Sequence, residues 1–193
     1  MYDFGNRDYK WQDIYIGGNF VNNNLFATKP SGGIFSQTRP GALIGGPSDF
    51  ETLINNEKAI ASTFDSKQQF IQGSLAPGDQ ILFEVIGNIK LEETDNLLEF
   101  GFFINDAFIT STLLTYKNVV LPFNDIFVTK VKLSVQINQT IIVYIITECD
   151  QISNRKLQFT DVDLSQTLDW DIRIKCTRPA KIQSQAVTVT KVF

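Results

Sequence analysis

A chain of 193 residues with 43% hydrophobic content has the length of one domain with an extension, and enough apolar material for a substantial core. Its formal net charge of −4 leaves no electrostatic footprint for nucleic acid or an anionic lipid surface, and no Lys/Arg-rich arm suited to packaging a genome is visible. Histidine is absent, which removes the usual general base and the commonest metal ligand, and with them His-based triads and zinc-hydrolase motifs.

The chain opens on Gly5, then Lys10-Trp11, an alternating Asp13-Ile14-Tyr15-Ile16, and a second turn at Gly17-Gly18. Up to residue 45 it stays rich in Gly, Asn, Pro and Ser. Its apolar pieces there are short (Phe20-Val21, Leu25-Phe26, Ile34-Phe35), too short to bury a core alone, and lying along a partner chain is one way to order them. Gly45-Gly46-Pro47 marks a turn, so the expected organisation is an extended, largely irregular arm over 1–45 and one domain over 46–193. Ser48 followed by Glu51 fits a capping box and predicts a short helix over Asp49–Asn56.

From residue 60 the apolar period is two. Pro77-Gly78-Asp79 supplies a turn ahead of Ile81, Phe83, Val85 and Ile89; Leu98, Phe100, Phe102 and Ile104 share one face, closing at Asn105-Asp106. In Phe127–Ile137, Phe127, Val131, Leu133, Val135 and Ile137 point one way and Lys130, Lys132, Ser134 and Gln136 the other. Thr140–Cys149 is apolar on both faces, Ile142, Tyr144 and Ile146 against Ile141, Val143 and Ile145, which suits a strand covered on both sides. Leu168, Trp170, Ile172 and Ile174 alternate with charged residues, and a last strand runs over about Ile182–Phe193. About eight strands without a long helix predict an all-β fold, a single jelly-roll β-sandwich.

Two stretches carry a resemblance. The Gly5 to Gly18 pattern, with Lys10-Trp11 and Ile14-Tyr15-Ile16, resembles the short repeat in the shafts of phage tail fibres and related viral fibres. Ser74-Leu75-Ala76-Pro77-Gly78-Asp79-Gln80-Ile81-Leu82-Phe83-Glu84-Val85-Ile86-Gly87-Asn88, followed by Phe100-Gly101-Phe102-Phe103-Ile104-Asn105, is similar to the trimeric jelly-roll heads of viral fibre and spike proteins, tumour-necrosis-factor-like and complement-type. No sugar-binding signature accompanies it, and the Asp161–Leu168 connection is more acidic than in those heads. The resemblance implies a virion structural protein, assembled in the host cytoplasm. It would act as a homotrimer that contacts other virion proteins and attaches to a host-surface receptor, a glycan or a protein, without catalysis or cofactor. Trp11, Ile14 and Tyr15 in the shaft, and Ile142, Tyr144 and Ile146 in the head, are then the expected subunit contacts. The alternative is a capsid component (penton, minor capsid or decoration protein) whose arm ties neighbours together.

Chemistry-bearing groups are few. Asp161 with Asp163, and Asp169 with Asp171, share a side if extended, the pairing a calcium site uses, though a solvated face is the plainer reading and no metal site is expected. No phosphate loop or Gly-x-Ser-x-Gly elbow occurs, and no catalytic residue is assigned. Receptor contact is expected at Tyr116, Asn118, Phe123 and Asn124, where two rings flank a loop and offer faces to a sugar, against the plainer reading that they cap the core. Cys149 and Cys176 are expected as free thiols, a bridge remaining open. No stretch approaches the roughly 18 apolar residues of a spanning helix, and the N-terminus is too polar and aromatic for a signal peptide.

Overall fold

A computed structural model describes residues 32–37, 40, 43–45, 48–54, 69–70, 73–138, 140–149 and 152–192. Its elements are β1 (Gly32–Gln37), β2 (Glu51–Thr52), β3 (Gln69–Phe70), β4 (Gln80–Leu91), β5 (Asn96–Ile104), β6 (Ala107–Tyr116), β7 (Phe123–Val135), β8 (Thr140–Cys149), β9 (Ile152–Asp161), β10 (Leu168–Cys176) and β11 (Ala180–Val192). They form two antiparallel sheets. The larger has six strands in the order β1-β11-β4-β7-β8-β9; the smaller has the order β2-β10-β5-β6, with β3 beside β10. The fold is the expected β-sandwich. Its pairs nest from the outside inwards, β4 with β11 and β5 with β10, one pair in each sheet, while β7, β8 and β9 meander.

Alternation builds the core. Ile81, Phe83, Val85, Phe127, Val131, Leu133, Ile141, Val143 and Ile145 of the larger sheet are buried against Leu98, Phe100, Phe102, Leu114, Trp170, Ile172 and Ile174 of the smaller. Aromatic rings bridge the layers, Phe83 meeting Trp170 at 4.9 Å and Phe102 at 5.1 Å, and Phe100 meeting Phe127 at 5.0 Å. Turn chemistry sets the register. Asn105 and Asp106 both take positive φ (49° and 61°), the two-residue hairpin geometry that matches strand twist, and Gly78 at φ 89° follows Pro77 in the turn that feeds β4.

Three expectations are corrected. Glu51-Thr52 pairs with Ile174-Arg173 instead of opening a helix, because the chain there anchors Leu53 and Ile54 in the core, 2% and 3% exposed. Residues 32–37 form a strand along β11 of the same chain, and Ile44 bridges Ile182, so this stretch of the expected irregular arm is part of the chain's own sheet. Ile137 sits past the end of β7 in the hairpin to β8 and is 86% exposed. Trp11, Ile14 and Tyr15 lie outside the described residues.

Candidate binding face

The outward side of the smaller sheet carries an aromatic cluster that the alternation of apolar residues did not announce. Gly101 pairs with Arg173 on one side and Ser111 on the other, and the Phe50 ring lies over it, so close that an added Cβ would stand 2.8 Å from that ring. A glycine inside a strand here permits close approach. Phe50 meets Phe103 edge-on at 5.1 Å, Phe103 meets Phe108 at 5.6 Å, and Phe50 and Phe108 are 5.9 Å apart. Phe103 is buried beneath the group, whereas Phe108 remains 50% exposed. Alternation along β5 turns Phe103 outward, and the bulge that skips Ile109 of β6 brings Phe108 opposite it.

Charged groups frame the rings and are themselves held in place. Arg173 stacks 4.4 Å over Phe103, donates from Nε to Asp171 Oδ2 at 2.7 Å, and donates from Nη2 to Asp106 Oδ1. Partial burial disfavours its charge, but the two carboxylates outweigh that and hold the guanidinium above its ordinary pKa. Asp171 also accepts from Thr52 Oγ1 at 2.7 Å. Lys175 stands 4.5 Å over Phe50 and pairs with Glu99 at 2.8 Å, while Ser111 Oγ donates to the other Glu99 oxygen at 2.5 Å. Partial burial pushes Glu99 upward; Lys175 and Ser111 more than offset this, and the carboxyl sits below its ordinary value of 4.5. Beside Glu99 and Lys175 a cavity of about 380 Å³ opens, lined also by Ser48, Leu97 and Thr177. An aromatic surface with rigid donors and acceptors around a recess is suited to a polyhydroxylated ligand: the rings take its C–H face and the framed charges take its hydroxyls.

The residues expected to touch a receptor do not converge. Tyr116 is 2% exposed; its ring packs 5.5 Å from Phe123 and its hydroxyl donates to Asp125 Oδ2 at 3.1 Å, so it caps the core and offers no face to a sugar. Burial, then Cys149 and the Asp125 carboxylate, push its phenol pKa upward. Phe123 is half-buried against the same core. Asn118 is exposed at φ 53°, its backbone N–H donating to Asp95 Oδ1, and Asn124 projects from the outer face of the larger sheet. Ile142, Tyr144 and Ile146 are half-buried on that same outer face.

The paired carboxylates are used internally. Asp161 accepts from Thr140, and Asp163 binds Ser165 and Gln166. Among the described residues no three His, Cys, Asp or Glu side chains gather as metal ligands would. Cys149 and Cys176 are not joined by a disulfide, and burial pushes the Cys176 thiol up to about 12.

No protein-family model matches the chain, and no curated protein matches it. Among solved structures it is similar to the CBM2 module of the evolved Dit of Lactobacillus casei BL23 phage J-1, at 10% identity and a TM-score of 0.38, covering 83% of this chain and 95% of that one.

Proposed function

We propose that this chain is a virion structural protein whose sandwich attaches to a host-surface glycan through the Phe50–Phe103–Phe108 face, acting as a homotrimer without catalysis or cofactor. The observation that carries the attachment role is the half-exposed Phe108 ring packed on Phe50 and Phe103, which are framed by fixed charges, Arg173 with Asp171 and Asp106, and Lys175 with Glu99. Such a frame costs little to organise on binding, because its side chains are already held. The virion setting is supported by the fibre-shaft resemblance at Gly5–Gly18 and the head-like pattern from Ser74 onward. Three modest identical sites on one assembly would gain avidity well beyond a single contact.

The test is an array of neutral host-surface oligosaccharides, followed by calorimetry on whatever binds. Phe108→Ala is expected to weaken binding by about tenfold, the loss of one stacked ring, with the melting temperature within a degree or two of the parent because half of the ring is already in water. Absence of any neutral ligand, or a ligand indifferent to Phe108→Ala, overturns the assignment.

A further inference from the structure

The opposite side of the sandwich holds a second recess with different chemistry. Where β11, β4 and β7 run together, the register sets Lys181 beside Lys90 and Gln183 beside Asn88, with Asn124 across from Lys90 and Ile126 across from Asn88. Strand alternation turns all six side chains to the outer face. Leu43, next to the Ile44–Ile182 bridge, closes one side, and the groove encloses about 510 Å³, within the range of small-ligand sites.

Three primary amides face this groove, Asn88, Asn124 and Gln183, and an amide both donates and accepts, the pairing that vicinal hydroxyls require; the Gln183 oxygen already accepts from Gln185 at 3.2 Å. Leu43 and Ile126, 61% and 56% exposed, give aliphatic walls for a ring's C–H faces. Lys181 is held by Glu92 at 2.8 Å, whereas Lys90 has no ion pair among the described residues. The carboxylate in the lining, Asp125, is buried and turned away from a ligand: one oxygen accepts from Tyr116 and the other from the Ile126 N–H. An anion entering the groove therefore meets an available ammonium and no opposing exposed carboxylate in the lining. No aromatic ring lines it, so a neutral sugar held by stacking is the wrong ligand. A free phosphate is also a poor fit, since the groove is made by strand side chains and offers no helix N-terminus or nest of backbone N–H groups.

We infer that this groove binds an acidic saccharide, its carboxylate on Lys90 and its hydroxyls on Asn88, Asn124 and Gln183. The site is distinct from the phenylalanine face and does not depend on it. Calorimetry of the full chain tests it with two acidic probes, a tetrasaccharide alternating glucuronate and N-acetylglucosamine, and sialyllactose. The carboxyl-reduced tetrasaccharide and lactose are the neutral controls. At least one acidic probe is expected to bind, with its neutral counterpart weaker by about tenfold, the scale of one charge-assisted contact. Lys90→Gln should cost about the same factor and Asn124→Ala about fivefold, both with unchanged melting curves since these side chains are exposed. Phe108→Ala should leave acidic-sugar affinity as it was. Failure of both acidic probes at millimolar concentration, equal affinity for the neutral controls, or indifference to Lys90→Gln each overturns the inference. So does loss on Phe108→Ala, which would place the ligand on the other face. Loss of the neutral-glycan assignment above would leave it standing.

Discussion

Asp79 is fully buried and held by partners: its Oδ2 accepts from the Ala76 N–H at 2.8 Å and lies 2.7 Å from the Lys191 ammonium. One carboxylate thus closes the Pro77-Gly78 turn and ties it to β11. Removing a partner from a buried pair costs far more than the pair's net worth, because the surviving charge is stranded. Lys191 keeps some contact with water, so Asp79→Ala should cost about 3 kcal/mol, the lower end of that range, read as a shift in the urea midpoint. Two strand glycines provide the contrast. A Cβ at Gly87 would stand 2.5 Å from the Gln183 backbone oxygen and from the Phe127 ring, neither of which can yield inside the core, so Gly87→Ala should destabilise by about 1–3 kcal/mol. At Gly101 the obstacles are the Phe50 and Phe103 rings on the outer face. Gly101→Ala should tilt Phe50 aside and weaken neutral-glycan binding at a smaller cost in stability.

Within and between the strands, polar groups mark where the sheets are fastened. Thr112 of β6, Thr147 of β8 and Thr129 of β7 meet inside the sandwich, Thr147 Oγ1 lying 2.7 Å from Thr112 Oγ1 and 3.0 Å from Thr129 Oγ1. Thr147→Val should strand two buried hydroxyls and cost about 1–3 kcal/mol in thermal or urea unfolding. At the outer face, the Glu99 carboxyl has a folded pKa below its unfolded value of 4.5. Its contribution is therefore fully present above about pH 4.5 and is lost as pH falls through the lower folded value. Stability should decline on acidification through that window, and Glu99→Gln should flatten the decline in urea midpoints measured from pH 6 to pH 3.

The strands that proved legible in sequence are those with at least one dry face: Thr140–Cys149 matches β8 residue for residue, and Leu98, Phe100, Phe102 and Ile104 fall on the inner side of β5. β6 and β9 gave no clean alternation. β6 mixes buried Thr110, Ser111 and Thr112 with outward Phe108 and Leu113, and β9 is an edge strand whose Asn154, Arg155 and Lys156 are all exposed. The phenylalanine face was hidden for a related reason. Phe50, Phe103 and Phe108 are brought together by pairing across β5, and Phe103 stands out of phase with the core residues Phe100 and Phe102. The one local hint was Gly101 between aromatic residues, a sign of close approach in a strand.

For the whole molecule, the outer face of the larger sheet raises the question of assembly. Register places Ile142 beside Phe159 and Tyr144 beside Leu157, and Phe159 and Leu157 of β9 are 59% and 52% exposed. With Ile146 they make a continuous apolar strip, rimmed on the β7 side by Lys130 and Lys132. A strip of this kind on a lone sandwich favours association. If it seats neighbouring subunits of the proposed trimer, Tyr144→Lys with Leu157→Lys should give a folded monomer in light scattering, with per-site affinity for a monovalent sugar unchanged and adhesion to a glycan-coated surface falling by about a hundredfold through lost avidity. The contribution of the N-terminal segment has to be separated from that of the sheet, and the boundary for doing so is set by β1. A truncation at residue 45 would remove the strand paired with β11 and the Ile44 bridge, exposing a sheet edge that invites aggregation. A chain beginning at Gly32 keeps that edge covered. Should it remain trimeric, the strip suffices for assembly; should it fall to a monomer while the full chain is trimeric, residues 1–31 carry the association and the fibre-shaft resemblance at Trp11 to Ile16 gains its physical meaning.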